Sequence, residues 1–324
     1  MSSAIVDFVV PTWNNREIVS STLQSIKHQT ISDFTCTVVD DNSTDGTPDF
    51  IRTYFPWVRI VVKERNRGPA SSRNIGYAQG TAKYVVFMDS DVSLHPSWTE
   101  EQIHFLESDP AIGCVSGKLI HGRSPELLYA AYGTMNRLGV AWDAGFGHSV
   151  SDFSRPLRCL WANTTAMMVR REVIYRIGDF DSAMFTMFED TDLGWRMNIC
   201  GYKVIFNPGA VAVHAVHGTL NPLEPRLVYL VWRNRARSVL INYEAKNLLT
   251  YGTAFLLLSL LHATLFRPRK QKLAALWWNV SQLSSTLRRR KQVQGLRSVG
   301  DNELWSMFES RLRGPGYGAS PEKP

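Results

Sequence analysis

The sequence predicts an α/β fold: a mostly parallel sheet flanked by helices, followed by a helical, basic, membrane-associated region. Three observations support this prediction. Apolar runs rich in β-branched residues alternate with segments of helical period through the first 90 residues, as in βαβ units. Two of these runs end abruptly in paired carboxylates. Between Ala245 and Gly300, ten Lys or Arg residues occur without a single Asp or Glu.

The first quarter of the chain alternates strand and helix in a regular order. Strands are predicted where apolar runs end at turn residues or carboxylates, and helices where apolar residues recur every three or four positions. The predicted strands are Ile5–Val10, Thr35–Val39, Val58–Val62 and Tyr84–Met88, and the helices are Arg16–Gln29, one opening at Thr47, and Gly68–Gln79. This rhythm favours parallel pairing of the strands.

The pattern is less regular beyond residue 95. Residues 121–160 are rich in glycine and aromatic residues without a clear period, which is typical of an irregular functional segment. Elsewhere we expect helices from Pro96 to Glu107, from Glu189 to Gly201, over Leu227–Tyr243 and over residues 271–290, and strands at Ile112–Lys118, Thr164–Val169, Lys203–Phe206 and Ala210–Val213.

Three groups of carboxylates lie where a parallel sheet presents its ligand-binding edge. They are Asp40 with Asp41, Asp89 with Asp91, and Glu189 with Asp190. Each group could simply cap a turn or a helix. Together they predict a crevice at the carboxyl ends of the strands, where hard oxygen ligands suit Mg²⁺ or Mn²⁺.

Five motifs carry a resemblance to a known family. They are Val10-Pro11-Thr12-Trp13-Asn14, Val39-Asp40-Asp41-Asn42-Ser43-Thr44-Asp45-Gly46-Thr47, Arg73-Asn74-Ile75-Gly76, Asp89-Ser90-Asp91 and Glu189-Asp190-Thr191-Asp192-Leu193-Gly194-Trp195-Arg196. Their order and spacing resemble family 2 glycosyltransferases over about residues 4–220. The segment from Ala166 to His214 looks most like the rhamnosyltransferase-like branch. Thr164-Thr165 departs from the small Gly-Ala pair of that branch, on the side that faces the acceptor.

The resemblance implies a GT-A fold, with a Rossmann-like half that binds the nucleotide of a nucleotide-diphosphate sugar. Pro11 and Trp13 would lie against the nucleotide, and Asp41 would accept a hydrogen bond from the base. Arg73 would reach the nucleotide or its diphosphate, a role that suits a permanently charged forked donor. Asp89 would face the ribose.

The resemblance also implies the residues of the reaction centre. Asp91 would be the direct metal ligand, with Asp89 beside it. His214 would complete the metal shell, although a structural histidine is the alternative, and His217 is a weaker candidate. Asp190 would be the catalytic base of an inverting transfer. The acceptor-side candidates are Glu189, Trp161 and Asp192, and a purely structural role is favoured for Asp192.

The C-terminal part suggests membrane association. Leu248–Phe266 has no formal charge and reaches spanning length, but spanning would place the basic Arg267–Arg297 segment outside, against the positive-inside preference. Helices lying in the interface, with basic residues at anionic headgroups, fit better. Packing against the catalytic domain or in a homodimer is the alternative. Nothing resembles a nucleic-acid recognition motif.

The resemblance therefore implies a metal-dependent, inverting glycosyltransferase of hexosyl or rhamnosyl type that acts on a glycan or lipid-linked acceptor in polysaccharide or glycolipid assembly. Residues 1–222 would form the catalytic domain, 223–313 the helical region and 314–324 a disordered tail. Four scattered cysteines and no signal-peptide pattern indicate a cytoplasmic protein at the inner membrane face. The alternatives are a polyprenyl-phosphate sugar synthase, a nucleotidyltransferase, which would need a Gly-rich phosphate loop, or a non-catalytic scaffold.

Overall fold

A central sheet of ten strands organises the molecule. The computed structural model describes residues 4–215 and 224–311. Eight strands follow the order β10-β12-β6-β11-β4-β1-β2-β3, while β5 pairs with β12 and β7 with β6. These strands are β1 Val6–Thr12, β2 Phe34–Asp40, β3 Arg59–Val62, β4 Tyr84–Met88, β5 Val92–Leu94, β6 Ile112–His121, β7 Ser124–Ala130, β10 Leu157–Cys159, β11 Ala166–Arg170 and β12 Lys203–His214.

The first four strands form a Rossmann-like half. Strand β1 lies between β2 and β4 and pairs in parallel with both, and β3 continues the parallel order beyond β2. The intervening helices are α1 Val19–Lys27, α2 Thr47–Tyr54 and α3 Pro69–Tyr77. The order in which strands are added reverses at β1: β2 and β3 lie on one side of it, and β4 lies on the other. Ligands of open α/β sheets bind at such switch points, beyond the carboxyl ends of the strands.

The other half of the sheet is mixed. Strand β11 runs antiparallel to both β4 and β6, and β12 runs parallel to β6. Two reversals restore the direction, so β12 and β4 point the same way and end at the same edge. Helices α4 Trp98–Ser108, α5 Arg171–Ile177 and α6 Glu189–Ile199 belong to this half. The predicted α/β class, with a sheet flanked by helices, is confirmed.

Two predictions about local structure are wrong. Residues 121–160 are not irregular: they contain β7, β10 and a small second sheet in which β8 Tyr132–Asn136 pairs with β9 Ala141–Ala144 and with β13 Phe308–Glu309. The two predicted short strands around Pro208 are one strand, β12, whose register shifts between Asn207 and Val211. A bulge lets a strand accommodate proline without losing its partner.

The C-terminal region is helical, as predicted. Its elements are α7 Pro225–Asn242, α8 Ala245–Asn247, a π-helical turn Leu248–Gly252, α9 Thr253–Leu265, α10 Arg269–Ser281, α11 Leu283–Leu296 and α12 Asp301–Leu304. The single helix predicted over residues 271–290 is two helices, which meet at Gln282.

Helix α7 is bonded to the catalytic half rather than merely following it. Arg237 on α7 pairs with Asp181 at 2.6 Å, and Asn242 donates to Asp192 on α6 at 2.9 Å. The predicted domain boundary at 222 and 223 lies outside the described residues, as does the predicted disordered tail at 314–324.

Helix α9 leaves most of its circumference uncovered. Only Phe255, Ser259 and Ala263 of this helix are buried, whereas Leu257 and Leu261 are 62% and 54% exposed. The continuous helical segment Ala245–Leu265 is long and apolar enough to cross a membrane, and 17% of its most apolar window is buried. Apolar helices of soluble proteins reach the same length and hydropathy, so these two properties alone do not identify a membrane span.

Candidate active site

The carboxyl ends of four strands converge on one edge of the sheet. Trp13 directly follows β1, Asp41 follows β2, Asp89 follows β4, and His214 ends β12. Trp13 is 55% exposed, which is unusual for so large an apolar ring, while Pro11 is buried inside β1. The sheet topology therefore brings together groups that are as far apart in the sequence as Trp13 and His214.

Asp91 and His214 form a pair at this edge. The Nε2 atom of His214 lies 3.2 Å from Oδ2 of Asp91, and the His214 ring packs edge-on against Tyr129 with 4.4 Å between ring centroids. Burial lowers the pKa of His214, but the hydrogen bond to Asp91 and the charges of Asp91, Asp89 and Asp143 together raise it. Four acidic or basic groups thus share one small space.

The donor set of this pair fits a divalent cation. An imidazole and a carboxylate are ordinary ligands of Mn²⁺, and Nδ1 of His214 is buried with no hydrogen-bond partner among the described residues. Within residues 4–215 and 224–311, no three His, Cys, Asp or Glu side chains converge as a ready-made metal cluster. His217, the weaker candidate, lies outside those residues.

Arg73 connects two of the predicted carboxylates. Its Nη2 donates to Oδ1 of Asp89 at 2.7 Å, and its Nη1 donates to Oε1 of Glu189 at 2.8 Å. Arg73 and Glu189 are both buried. Both terminal nitrogens of Arg73 therefore bind the protein's own carboxylates. The resemblance implies instead that Arg73 contacts the nucleotide or its diphosphate. Thr165 donates to the other oxygen of Asp89 at 3.2 Å.

Asp190 lies in the first turn of α6 and is partly exposed. Its Oδ1 accepts the backbone N–H of Thr191 at 2.7 Å. Burial, the adjacent Glu189 carboxylate and Asp143 raise the pKa of Asp190 to about 8. A carboxylate with a pKa near neutrality is suited to accepting a proton from a hydroxyl group.

Asp143 is a site residue that sequence reasoning missed. It lies on β9, is buried, and accepts from Nδ2 of Asn163 at 3.0 Å. Its charge raises the pKa of both Asp190 and His214, so it belongs to the electrostatic surroundings of both groups. No period or motif in residues 121–160 marks Asp143, because its position depends on the pairing of β9 with β8.

Asp41 is enclosed by its own loop. Its carboxylate pairs with Lys63 at 2.5 Å and accepts the backbone N–H groups of Arg67 at 2.9 Å and Gly68 at 2.7 Å. These bonds hold the segment before α3 against the end of β2. Asp41 therefore lies at the predicted nucleotide end of the cleft but is already well supplied with donors.

Two of the acceptor-side candidates, Trp161 and Glu189, are buried. Trp161 is 4% exposed, donates from Nε1 to the Thr134 carbonyl at 3.1 Å, and packs so tightly over Gly133 that a Cβ there would lie 2.0 Å from its ring. Trp161 therefore packs as a core residue, with almost none of its ring exposed to an acceptor. Glu189 is likewise turned inward onto Arg73.

Asp192 is also internal, in line with the structural role favoured for it. It is fully buried, pairs with Arg196 at 2.7 Å, and accepts from Ser238 at 3.1 Å and Asn242 at 2.9 Å. These partners lie on α6 and α7, so Asp192 ties the two helices together.

Comparison with known proteins identifies the family. A family model described as "Glycosyl transferase family 2" matches residues 7–178. The chain belongs to glycosyltransferase family 2. The family 2 match covers more than half of the chain and includes the segments that follow β1, β2 and β4 at the cleft.

Curated relatives of this family 2 chain carry glycosyltransferase names. The chain is 28% identical over 215 residues to the pre-mycofactocin glycosyltransferase of Mycobacterium tuberculosis H37Rv, covering 64% of this chain and 42% of that protein. It is 25% identical over 217 residues to glycosyltransferase AglE of Haloferax volcanii, covering 64% and 66%. The aligned region thus spans less than two thirds of either relative.

Solved structures share the GT-A fold of this family 2 chain. GalNAc-T7 with UDP, GalNAc and Mn²⁺ superposes with a TM-score of 0.65 at 16% identity, covering 90% of this chain and 55% of that one. The mannosyltransferase PcManGT of Pyrobaculum calidifontis, in complex with GDP-Man and Mn²⁺, gives 0.55 at 18%, covering 95% and 84%. At these identities the likeness shows the fold, and it confirms the predicted GT-A architecture.

Proposed function

We propose that this chain is an inverting, metal-dependent glycosyltransferase that moves a sugar from a nucleotide-diphosphate donor to a hydroxyl group. The main support is the arrangement of the cleft. The Asp91–His214 pair, with a 3.2 Å separation, shares one edge with Asp190, a partly exposed carboxylate of raised pKa. The names of the relatives and the nucleotides and Mn²⁺ in the neighbouring structures support the same reaction class.

The nucleotide would lie over the ends of β1 and β2. The exposed ring of Trp13 offers a stacking surface, and Pro11, in the preceding strand, would also lie against the nucleotide. The Asp41 carboxylate, held by Lys63 and two backbone N–H groups, would accept from the N–H of a base such as uracil or guanine. Asp89, which Arg73 fixes on one side, would face the ribose.

A divalent cation, Mg²⁺ or Mn²⁺, would be held by Asp91 and His214, with Asp89 next to them. When bound, such a cation neutralises negative charge on a leaving diphosphate. The protein's own contribution is to keep the ligands in place: Tyr129 packs against the His214 ring, and the pairing of β12 with β5, which sets His214 opposite Val92, keeps His214 beside Asp91.

Asp190 would act as the general base. The acceptor hydroxyl loses its proton to the Asp190 carboxylate while its oxygen forms a bond to the anomeric carbon. The bond between that carbon and the diphosphate oxygen breaks, and the nucleoside diphosphate carries away the electron pair. One displacement from the face opposite the leaving group inverts the anomeric centre, so no covalent enzyme intermediate is needed.

The C-terminal helices would place the enzyme on the cytoplasmic face of a membrane. We assign residues 1–222 to the catalytic domain and 223–313 to a membrane-interfacial region that includes the exposed leucines of α9. Ten basic and no acidic residues between Ala245 and Gly300 complement anionic headgroups. A homodimer through this face would bring two surfaces of like charge together, which is unfavourable.

A lipid-linked or growing glycan acceptor would suit an enzyme on the membrane. The transferred sugar would be a hexose or a rhamnose-type sugar, in keeping with the likeness of residues 166–214 to the rhamnosyltransferase-like branch. A polyprenyl-phosphate sugar synthase is the nearest alternative. Its acceptor is an ionised phosphate that needs no base, so such an enzyme would not use Asp190.

A panel of nucleotide sugars with Mn²⁺ or Mg²⁺, scored by release of nucleoside diphosphate, tests the proposal. We expect release with one donor, faster in the presence of a glycan or lipid-linked hydroxyl acceptor and absent after metal chelation. Transfer to polyprenyl phosphate that persists in the Asp190→Asn variant would favour the synthase. A folded protein that releases nothing from any donor would favour a non-catalytic scaffold.

A further inference from the structure

The loop that precedes Asp190 has an unusual backbone. Phe185, Met187 and Phe188 all have φ between 66° and 74°, a left-handed conformation that residues with large side chains rarely adopt. The N–H of Thr186 donates to the carbonyl of Met184 at 2.8 Å, which closes a γ-turn of the uncommon positive-φ kind around Phe185. Such a backbone persists only where its surroundings hold it.

The surroundings that hold this loop come from helix α7. The Nδ2 atom of Asn234 donates to the carbonyl oxygens of Met184 at 2.9 Å, Thr186 at 2.8 Å and Met187 at 2.6 Å. Asn234 is fully buried. One side-chain amide therefore shares its two N–H groups among three carbonyl oxygens of this left-handed loop.

Neighbouring groups support the same arrangement. Arg233 donates to the carbonyls of Ala183 at 2.9 Å and Met184 at 2.6 Å. On the opposite side, the carbonyl of Phe185 accepts the N–H of Ala70 at the start of α3. A Cβ on Gly68 would lie 2.5 Å from that carbonyl, so the two segments are in close contact. The loop is thus clamped between α7 and the segment that Asp41 anchors.

We propose that Asn234 is a positioning residue for catalysis: its amide holds residues 184–188 in the left-handed conformation that aims Asp190 into the cleft. The inference rests on the proposed role of Asp190 as the base. It goes beyond the family resemblance, because Asn234 lies outside both the resembling residues 4–220 and the matched residues 7–178. It also makes the C-terminal region a part of the catalytic apparatus.

The chain offers a matched control. Asn198 on α6 is also fully buried, and its Nδ2 donates to three carbonyls, those of Cys159, Leu160 and Gly194. None of these belongs to the loop. Asn198→Ala and Asn234→Ala both remove a buried amide that binds three carbonyls. A difference between the two variants therefore reflects which segment the amide binds, and not the loss of a buried amide as such.

The first measurement is hydrogen exchange of the backbone amides of residues 185–190, which does not depend on activity. We expect faster exchange in Asn234→Ala and wild-type exchange in Asn198→Ala. Equal exchange in the two variants would overturn the inference. If Asn234→Ala does not fold, Asn234→Ser, which retains one donor, should exchange faster than the wild type at residues 185–190, and wild-type exchange in Asn234→Ser would overturn the inference.

The second measurement is kinetic, with UDP-glucose and GDP-mannose as the donor probes. In Asn234→Ala we expect kcat to fall about 100-fold, the effect of misplacing a catalytic group by about 1 Å, while UDP or GDP still binds with Mn²⁺. Parallel losses of kcat and nucleotide affinity, matching those of Asn198→Ala, would argue against positioning. If the wild-type chain uses neither probe, the proposed function is in doubt, and the exchange result still decides the role of Asn234.

Discussion

The guanidinium of Arg73 donates to the carboxylate of Glu189 at 2.8 Å, across a sequence separation of 116 residues. This bond joins α3, in the nucleotide half of the protein, to the first turn of α6, which carries the proposed base. A second bond from the same guanidinium fixes Asp89. One buried cation thus holds the two sides of the cleft at a set distance.

Removing this cation should destabilise the fold. In Arg73→Met, the buried Glu189 carboxylate loses its partner, and we expect the free energy of unfolding to fall by about 3 kcal/mol, measured by urea denaturation. Adding Glu189→Gln removes the unpaired buried charge and should restore part of the lost free energy of unfolding. An Arg73→Met variant as stable as the wild type would show that the pair contributes little.

Replacing the base should separate binding from transfer. Asp190→Asn keeps the shape of the side chain but cannot take up a proton, so we expect kcat to fall by about 10²–10⁴-fold. Binding of UDP or GDP with Mn²⁺, followed by titration calorimetry, should be retained. Equal losses of binding and transfer would place Asp190 on the donor side instead.

The Asp91–His214 pair should control the effect of the metal. In Asp91→Ala and in His214→Ala, we expect Mn²⁺ to stop enhancing the binding of UDP or GDP, because a cation ligand has been removed. His148→Ala is the control, since His148 also faces an aspartate, Asp152, at 3.7 Å on the exposed surface. Undiminished Mn²⁺ enhancement in both cleft variants would rule out this metal site.

The pH dependence of transfer should follow Asp190. Its pKa is raised to about 8, first by burial and then by Glu189, and only the ionised form can accept a proton. We therefore expect kcat/KM to increase about tenfold per pH unit below that value and to level off above it. A flat profile from about pH 5 to 9 would indicate a base with the ordinary pKa of aspartate.

The exposed face of α9 should bind anionic lipid. We expect sedimentation with phosphatidylglycerol vesicles but not with phosphatidylcholine vesicles, because the neighbouring charge is entirely basic. Leu257→Asp combined with Leu261→Asp should abolish it, and Tyr54→Asp, at an exposed aromatic on α2, should not. If light scattering instead shows a dimer that the double variant dissociates, with no vesicle binding, the face is a subunit interface.

The sequence by itself determined the alternation of strands and helices in the first half of the chain and the position of the carboxylates at strand ends. These features are local: an apolar run and the residue that follows it define a strand and its end. The order of the motifs was enough to indicate the family. Asp89 and Asp91 follow β4 and His214 ends β12 at one edge of the sheet, as the pattern of strand ends predicts.

Tertiary structure alone decided which of these groups contact one another. Nothing local shows that Arg73 binds Glu189 or that the charge of Asp143 acts on Asp190. Nor does it show that Asn234 binds the loop that precedes Asp190, because each of these interactions joins segments far apart in the chain. The inward orientation of Trp161 has the same origin. The polarity and spacing of residues predict which side chains could bind a ligand or transfer a proton. Whether such a side chain is buried, and which group it pairs with, depends on the helices and strands that pack against it.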